Sequence, residues 1–254
     1  MRALTVFALL LHATHAFSAS DCRVASGSVV LPLVELYTSE GCDSCPAADR
    51  WLTAQFPAGL PAAAAVLAFH VDYWDRLGWK DRFASPAYTA RQHQSMRANR
   101  ASFVYTPQVV LQGRDFSAWR QGAPTAALAS AAAGSPRADI VLRAEADGAA
   151  WRIEATVTLR EPARAGAVLA LAYTDSRLVS AVTSGENRGV TLIHDHVVRS
   201  FETRTVAGNS GSLRVRLQKP GEAGSHAGIV AFAQDVASGA VLQSVVLPLA
   251  GCAS

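Results

Sequence analysis

Apolar and polar positions along this chain fall into two regimes that meet near Gly134-Ser-Pro136. Before that point, short apolar runs alternate with stretches of helical spacing. Leu31–Tyr37 and Ala64–Val71 read as short buried strands. Between them Ala47, Ala48, Trp51 and Leu52 recur at helical spacing and predict a helix over Cys45–Ala54. A polar helix is expected over Ser85–Ala98, opened by Pro86, and Pro107 opens a strand over Gln108–Gln112. Gly113-Arg114 turns that strand into another at Asp115–Trp119, and Pro124–Ala133 closes the region as a helix. The order β-α-β-α-β-β-α predicts an α/β layer structure with a mixed sheet.

Beyond Pro136 the pattern is strand-like almost throughout. Ala138–Ala146 and Trp151–Leu159 alternate in character and flank Asp147-Gly148, a hairpin signal. Val168–Tyr173, Leu192–Val198, Leu213–Leu217, Ile229–Asp235 and Val241–Leu247 follow. About eight short strands at this spacing predict an all-β, sandwich-like second domain over residues 136–250.

At 254 residues, half of them apolar, the chain is long enough for two domains with real cores. Its net charge of +3 is weak and rests almost wholly on arginine, Lys80 and Lys219 being the only lysines. No basic block interleaves with aromatics, so nucleic acid is not an expected partner. Residues 1–20 read as a signal peptide: Arg2, then the apolar stretch Ala3–Leu11, then Ala16, Ser18, Ala19 and Ser20. Asp21 before Cys22 argues against lipid attachment there. No later run reaches the about 18 apolar residues of a membrane span, so no integral membrane segment is expected. The expected location is periplasmic or secreted.

Export places the four cysteines in an oxidising compartment. Cys22 and Cys252 lie at opposite ends of the mature chain, either bridged or as two free thiols. Cys42-Asp-Ser-Cys45 sits between a predicted strand and a predicted helix. The helix N-terminus favours thiolate beside Cys42, and the thiolate is the reactive species. A static disulfide is the competing reading, and half of a zinc site a further one, although no second CxxC exists. Glu40 and Asp43 flank Cys42, and each carboxylate raises a thiol pKa. A reductase or isomerase therefore fits better than a strong oxidant.

Asp72-Tyr73-Trp74-Asp75 follows the second strand and reads either as a substrate groove or as a packed loop. Arg91, Arg97 and Arg100 read as a solvated helix face. His194 and His196 sit at i, i+2 on a predicted unbroken strand and form a weak metal pair, with Glu186 or Asp195 as further ligands and Asp195 pointing to the opposite face. His70 reads as a packed core histidine. Gly185–Gly189 lacks the context of a phosphate loop and reads as a tight β-loop. No cofactor is expected.

The strand that ends at a thiol pair, the helix that starts there and the later Thr106-Pro107 together resemble the thioredoxin-like superfamily. The run Glu35-Leu-Tyr-Thr-Ser-Glu-Gly-Cys42 is similar to its glutaredoxin-like version. That resemblance implies that Cys42 attacks, Cys45 resolves, and a cis-Pro107 faces the pair and presents Thr106 to substrate. It also offers Glu35 as a buried proton-shuttling acid, the other reading being a surface carboxylate. CDSCPAADRWL, FHVDYWDRLGWKDRFASPAYTARQ and YTPQVVLQG, with Gly185-Glu-Asn-Arg-Gly189 and Leu192–Arg199, resemble the exported DUF1223 family. This implies a thioredoxin-like domain over residues 25–135, with an extended insertion at 72–104, ahead of a family-specific β region. The expected function is an exported thiol–disulfide oxidoreductase that acts on protein or peptide disulfides with an unidentified redox partner. Tyr73, Trp74 and Thr106 are its expected substrate contacts. The alternative is a non-enzymatic binding module with a structural disulfide and a metal held by the His194/His196 strand.

Overall fold

Strand β1 (Arg23–Ala25) opens the chain, and β2 (Leu33–Thr38) follows, buried at all six positions. The computed structural model describes residues 22–163, 166–221, 224–250 and 252, so the signal peptide expected at 1–20 lies outside the described residues. Helix α1 (Cys45–Gln55) carries Pro46 in its first turn, where a missing N–H costs no helical bond. Strand β3 (Ala65–His70) returns parallel to β2, from Leu33 opposite Ala65 to Thr38 opposite His70. Helix α2 (Pro86–Ala98) is capped by Ser85, whose hydroxyl accepts the Ala87 N–H. Strand β4 (Gln108–Leu111) runs antiparallel on the other side of β2 and turns into the two-residue β5 (Arg114–Asp115). The strand expected at Asp115–Trp119 stops there because the chain coils through Ser117–Gln121. That turn buries Trp119 against Trp51 of α1, with ring centroids 5.8 Å apart. Helix α3 (Thr125–Ala132) follows.

The remainder is β: β6 (Ala138–Asp147), β7 (Ala150–Leu159), β8 (Ala167–Asp175), β9 (Leu178–Ala181), β10 (Thr191–His194), β11 (Val197–Val206), β12 (Ser210–Gln218), β13 (Gly228–Asp235) and β14 (Val241–Pro248). The fold is thus mixed α/β and largely β, with few helices and several sheets. Strands β1, β6, β7 and β12 form one sheet, and β9 with β10 a two-stranded ribbon. The third sheet has the order β14-β13-β8-β11-β3-β2-β4-β5 and runs unbroken past the change of character near Pro136. Its seam is the parallel contact of β11 with β3, where Val197 pairs with Ala68 and the His196 carbonyl accepts the Ala68 N–H. Strands β8 and β13 are buried along nearly their whole length, as strands covered on both faces must be. One face packs Leu169, Leu171 and Ala231 onto Ile140, Leu142 and Ile153 of the smaller sheet. The other contributes Ala172, Val230 and Phe232 to a core shared with Leu33, Tyr37 and Phe69. Helix α1 seals a third cluster, Ala48 and Leu52 over Val34, Leu36 and Val66.

The single strand expected at Leu192–Val198 is two. The chain breaks at Asp195-His196, where His196 takes φ +57° and the Asp195 carboxylate accepts the Arg177 N–H. Strand β10 leaves to pair with β9, while β11 joins β8 and β3. Cys22 and Cys252 form a disulfide across a separation of 230 residues.

Candidate functional site

Strand β2 delivers Ser39-Glu-Gly-Cys42 to its C-terminal end, and α1 starts three residues later. Cys42 and Cys45 are joined, with Cα atoms 5.4 Å apart, and both are 0% exposed. The intervening turn closes through Cys45 N–H to the Cys42 carbonyl at 3.2 Å. The chain passes close to Trp74 at Gly41, where a Cβ would lie 3.3 Å from Cβ of Trp74.

Thr106-Pro107 is a cis peptide. The Trp74 indole N–H donates to Thr106 Oγ1 at 2.6 Å, so the threonine hydroxyl is left to donate to Cys42 Sγ, 3.7 Å away. Ser44 Oγ lies 3.4 Å from the same sulfur. Donors aimed at a sulfur favour its thiolate. Of the expected substrate contacts, Thr106 thus lies against the first cysteine, and Trp74 reaches it through Thr106. Tyr73 acts one step back: its hydroxyl donates to Gln92, which donates to the Tyr105 carbonyl and to Gln108. Burial pushes the Tyr73 phenol up from its ordinary pKa.

The β region closes the other side of the loop. Asn187 Nδ2 donates to the carbonyls of Glu40 at 2.8 Å and Cys42 at 2.9 Å. Glu186 Oε2 accepts the Asp43 N–H at 3.1 Å, and Ser184 Oγ donates to the Gly78 carbonyl at 2.6 Å. Gly185, with φ +73°, packs its backbone onto Trp79. The segment expected to be only a tight β-loop therefore grips the cysteine loop. Nothing in its local pattern signals this; its place among the motifs shared with DUF1223 is the one pointer.

Below the loop, polar side chains are buried together. The Glu40 N–H donates to Asp81 Oδ2 at 2.9 Å, and the same oxygen lies 2.6 Å from His70 Nδ1. Glu40 Oε2 accepts the Trp79 indole N–H at 2.7 Å. His194 stands between two carboxylates, its Nε2 3.4 Å from Glu40 Oε1 and its Nδ1 3.9 Å from Asp49 Oδ1. These are ion-pair separations without well-formed hydrogen bonds, and both nitrogens are left without a hydrogen-bond partner. Burial opposes charge on His194, but Asp49 and Glu40 outweigh it and raise its pKa to about 10. Burial likewise pushes Glu40 up, and His194, Ser180 and Trp79 together hold it below its ordinary value. His70 is packed as expected, against Phe83 and His194.

Of the two expectations for Glu35, burial holds: it is 1% exposed. Its partners, however, are Arg91 Nε at 2.6 Å and the Tyr37 hydroxyl at 3.3 Å, rather than a cysteine. Arg91 is correspondingly not on a solvated face. It is buried, with its guanidinium 5.0 Å and 4.9 Å from the ring centroids of Phe201 and Phe232. The His194/His196 pair does not share a face either. His196 sits in the left-handed turn and donates from Nε2 to the Phe56 carbonyl at 2.7 Å, at the far end of α1. Among the described residues no three His, Cys, Asp or Glu side chains are grouped to hold a metal ion. No helix among them is long and apolar enough to cross a membrane.

The chain that carries this buried disulfide has counterparts in sequence and in overall fold. Residues 33–234 match the family described as "Protein of unknown function (DUF1223)", and the chain belongs to that family. It is similar to a protein from Agrobacterium tumefaciens of known crystal structure, at 25% identity and a TM-score of 0.56, covering 87% of this chain and 96% of that one. HBP35 of Porphyromonas gingivalis has a similar fold, at 14% identity and a TM-score of 0.62, covering 87% of this chain and 76% of that one. No curated protein matches.

Proposed function

We propose that the chain is an exported thiol–disulfide oxidoreductase of the reductase or isomerase kind, acting on protein or peptide disulfides. The observation that carries this is the line of donors from Trp74 through Thr106 to Cys42 Sγ. It supports Cys42 as the sulfur whose thiolate is stabilised, and so as the attacking one. A thioredoxin-like N-terminal layer is part of the proposal. It is supported by the order β3-β2-β4-β5, with β3 parallel and β4 antiparallel to β2, and by the thiol pair at the junction of β2 and α1. The two disulfides fit an oxidising compartment, in line with the expected signal peptide. In the reaction Cys42 thiolate attacks a substrate disulfide and expels one substrate thiolate. Cys45 thiolate then attacks Cys42 Sγ, expels the second, and leaves the Cys42–Cys45 disulfide. Two electrons pass to the substrate.

The zero exposure of both sulfurs favours a second reading, a binding module whose disulfide is structural. Reduction of insulin by dithiothreitol separates the two. Wild type should accelerate it and Cys42→Ser should not. Equal rates, with Cys42→Ser merely less stable, would establish the structural disulfide instead.

A further inference from the structure

Glu40, Asp49, His70, Asp81 and His194 lie together below the cysteine loop, none more than 8% exposed. Glu40 Oε1, His70 Nε2 and both His194 nitrogens have no hydrogen-bond partner there. Unpaired buried polar atoms are costly, and a cluster of them beside a reactive group points to use. Asp49 lies one helical turn beyond Cys45 on α1, and both are buried, so their side chains share the face turned to the sheet. Asp49 is held by Thr38, whose hydroxyl donates to Oδ2 at 3.1 Å, and its other oxygen faces His194 Nδ1 at 3.9 Å.

We propose that Asp49 takes the proton of Cys45 when the mixed disulfide is resolved, and that His194, supplied by the β region, positions it and balances its charge. This rests on the oxidoreductase reading. With substrate joined to Cys42, the Cys45 thiol gives its proton to the Asp49 carboxylate. The Cys45 thiolate forms a bond to Cys42 Sγ and breaks the bond from Cys42 to substrate. The departing thiolate takes a proton from solvent, and Asp49 releases its own to solvent. Among the described residues, the titratable groups against His194 are Glu40 from the loop after β2, Asp49 from α1, and His70 from β3 at 4.9 Å with Asp81 behind it; Phe83, which packs on His194, carries the guanidinium groups of Arg82 and of Arg199 from β11 on its ring. The adjacent Asp195 is engaged by Arg177 N–H, and Arg82 is engaged on β9 by Ser180 and the Val179 carbonyl.

The test is stopped-flow reaction of the fully reduced protein with 5,5′-dithiobis(2-nitrobenzoate), following release of thionitrobenzoate. Cys42 attack gives a first release that depends on reagent concentration. Resolution by Cys45 gives a second that does not. A Cys42→Ser/Cys45→Ser control identifies release from Cys22 and Cys252. Asp49→Asn should slow the second release about 100-fold, the lower range for a lost general base, and leave the first within about twofold. His194→Gln should shift the pH profile of the second release alone. In wild type that release should level off well below the about 8.5 of an ordinary thiol. An unchanged second release in Asp49→Asn, equal slowing of both, or a wild-type rate that climbs with hydroxide up to about pH 8.5, would each overturn the proposal. The wild-type profile decides even if the variants do not fold. No reaction at Cys42 in folded protein would instead overturn the oxidoreductase reading itself.

Discussion

Between β6 and β7 on one side and β8 and β13 on the other, the interior is built on aliphatic side chains: Ile140, Leu142, Ile153, Leu169 and Leu171 are at most 1% exposed. Around Cys42 the interior is as well buried but polar, with Glu40, His70, Asp81 and His194 at most 2% exposed and several of their atoms unpaired. The first region gains stability from each buried methylene, about 0.8 kcal/mol. The second gives stability up, because buried charges and unpaired donors cost more than apolar replacements would. On the proposed function, the second kind of interior is kept for chemistry.

The two disulfides sharpen that contrast most. The Cys22–Cys252 bridge closes a separation of 230 residues, and the Cys42–Cys45 bridge only 3. On chain entropy alone the long loop contributes about 5 kcal/mol and the short one about 2. Urea unfolding of the two double serine variants should therefore show the larger loss in Cys22→Ser/Cys252→Ser, and thiol reactivity lost only in the other. Next, Leu171→Ala should cost about 2–5 kcal/mol in the same measurement, with both phases of thionitrobenzoate release intact. A core substitution that altered those phases would break the division of labour.

Asn187→Ala removes the grip on the Glu40 and Cys42 carbonyls and should cost about 1–3 kcal/mol. It should also quicken reduction of Cys42–Cys45 by dithiothreitol, scored by alkylation and mass; an unchanged rate would mean the loop does not guard the pair. The smallest effect is on pH dependence. His194 titrates at about 10 rather than its ordinary 6.5. Its contribution to stability is therefore full below about 6.5 and lost as pH rises through about 10. Glu40 is shifted the opposite way from its ordinary 4.5, so its contribution is present above that value and lost in acid. In His194→Gln the alkaline fall in urea midpoint should flatten; an identical alkaline limb would remove His194 from the account.

The elements around the cysteine loop are legible in the sequence because their signals are local. Apolar runs mark β2 and β3, Ser85-Pro86 marks the start of α2, and the thiol spacing with Thr106-Pro107 marks the site. What is not legible depends on partners far along the chain. Arg91 reads as solvated until Glu35 neutralises it and the rings of Phe201 and Phe232 take up its guanidinium. The grip of Asn187 spans 147 residues to Glu40, and no local pattern encodes it. The break at His196 uses a left-handed turn without glycine, so an unbroken strand is the natural expectation. The seam between β11 and β3 is a single parallel pair, too short to leave a periodic trace.

The central claim is that one disulfide works while the other only holds. Equilibration of the folded protein in graded dithiothreitol buffers, with alkylation and peptide mapping of the thiols, tests it directly. The expected result is reversible reduction of Cys42–Cys45 in folded protein at buffers where Cys22–Cys252 stays intact. Reduction of Cys42–Cys45 only as the protein unfolds would contradict it.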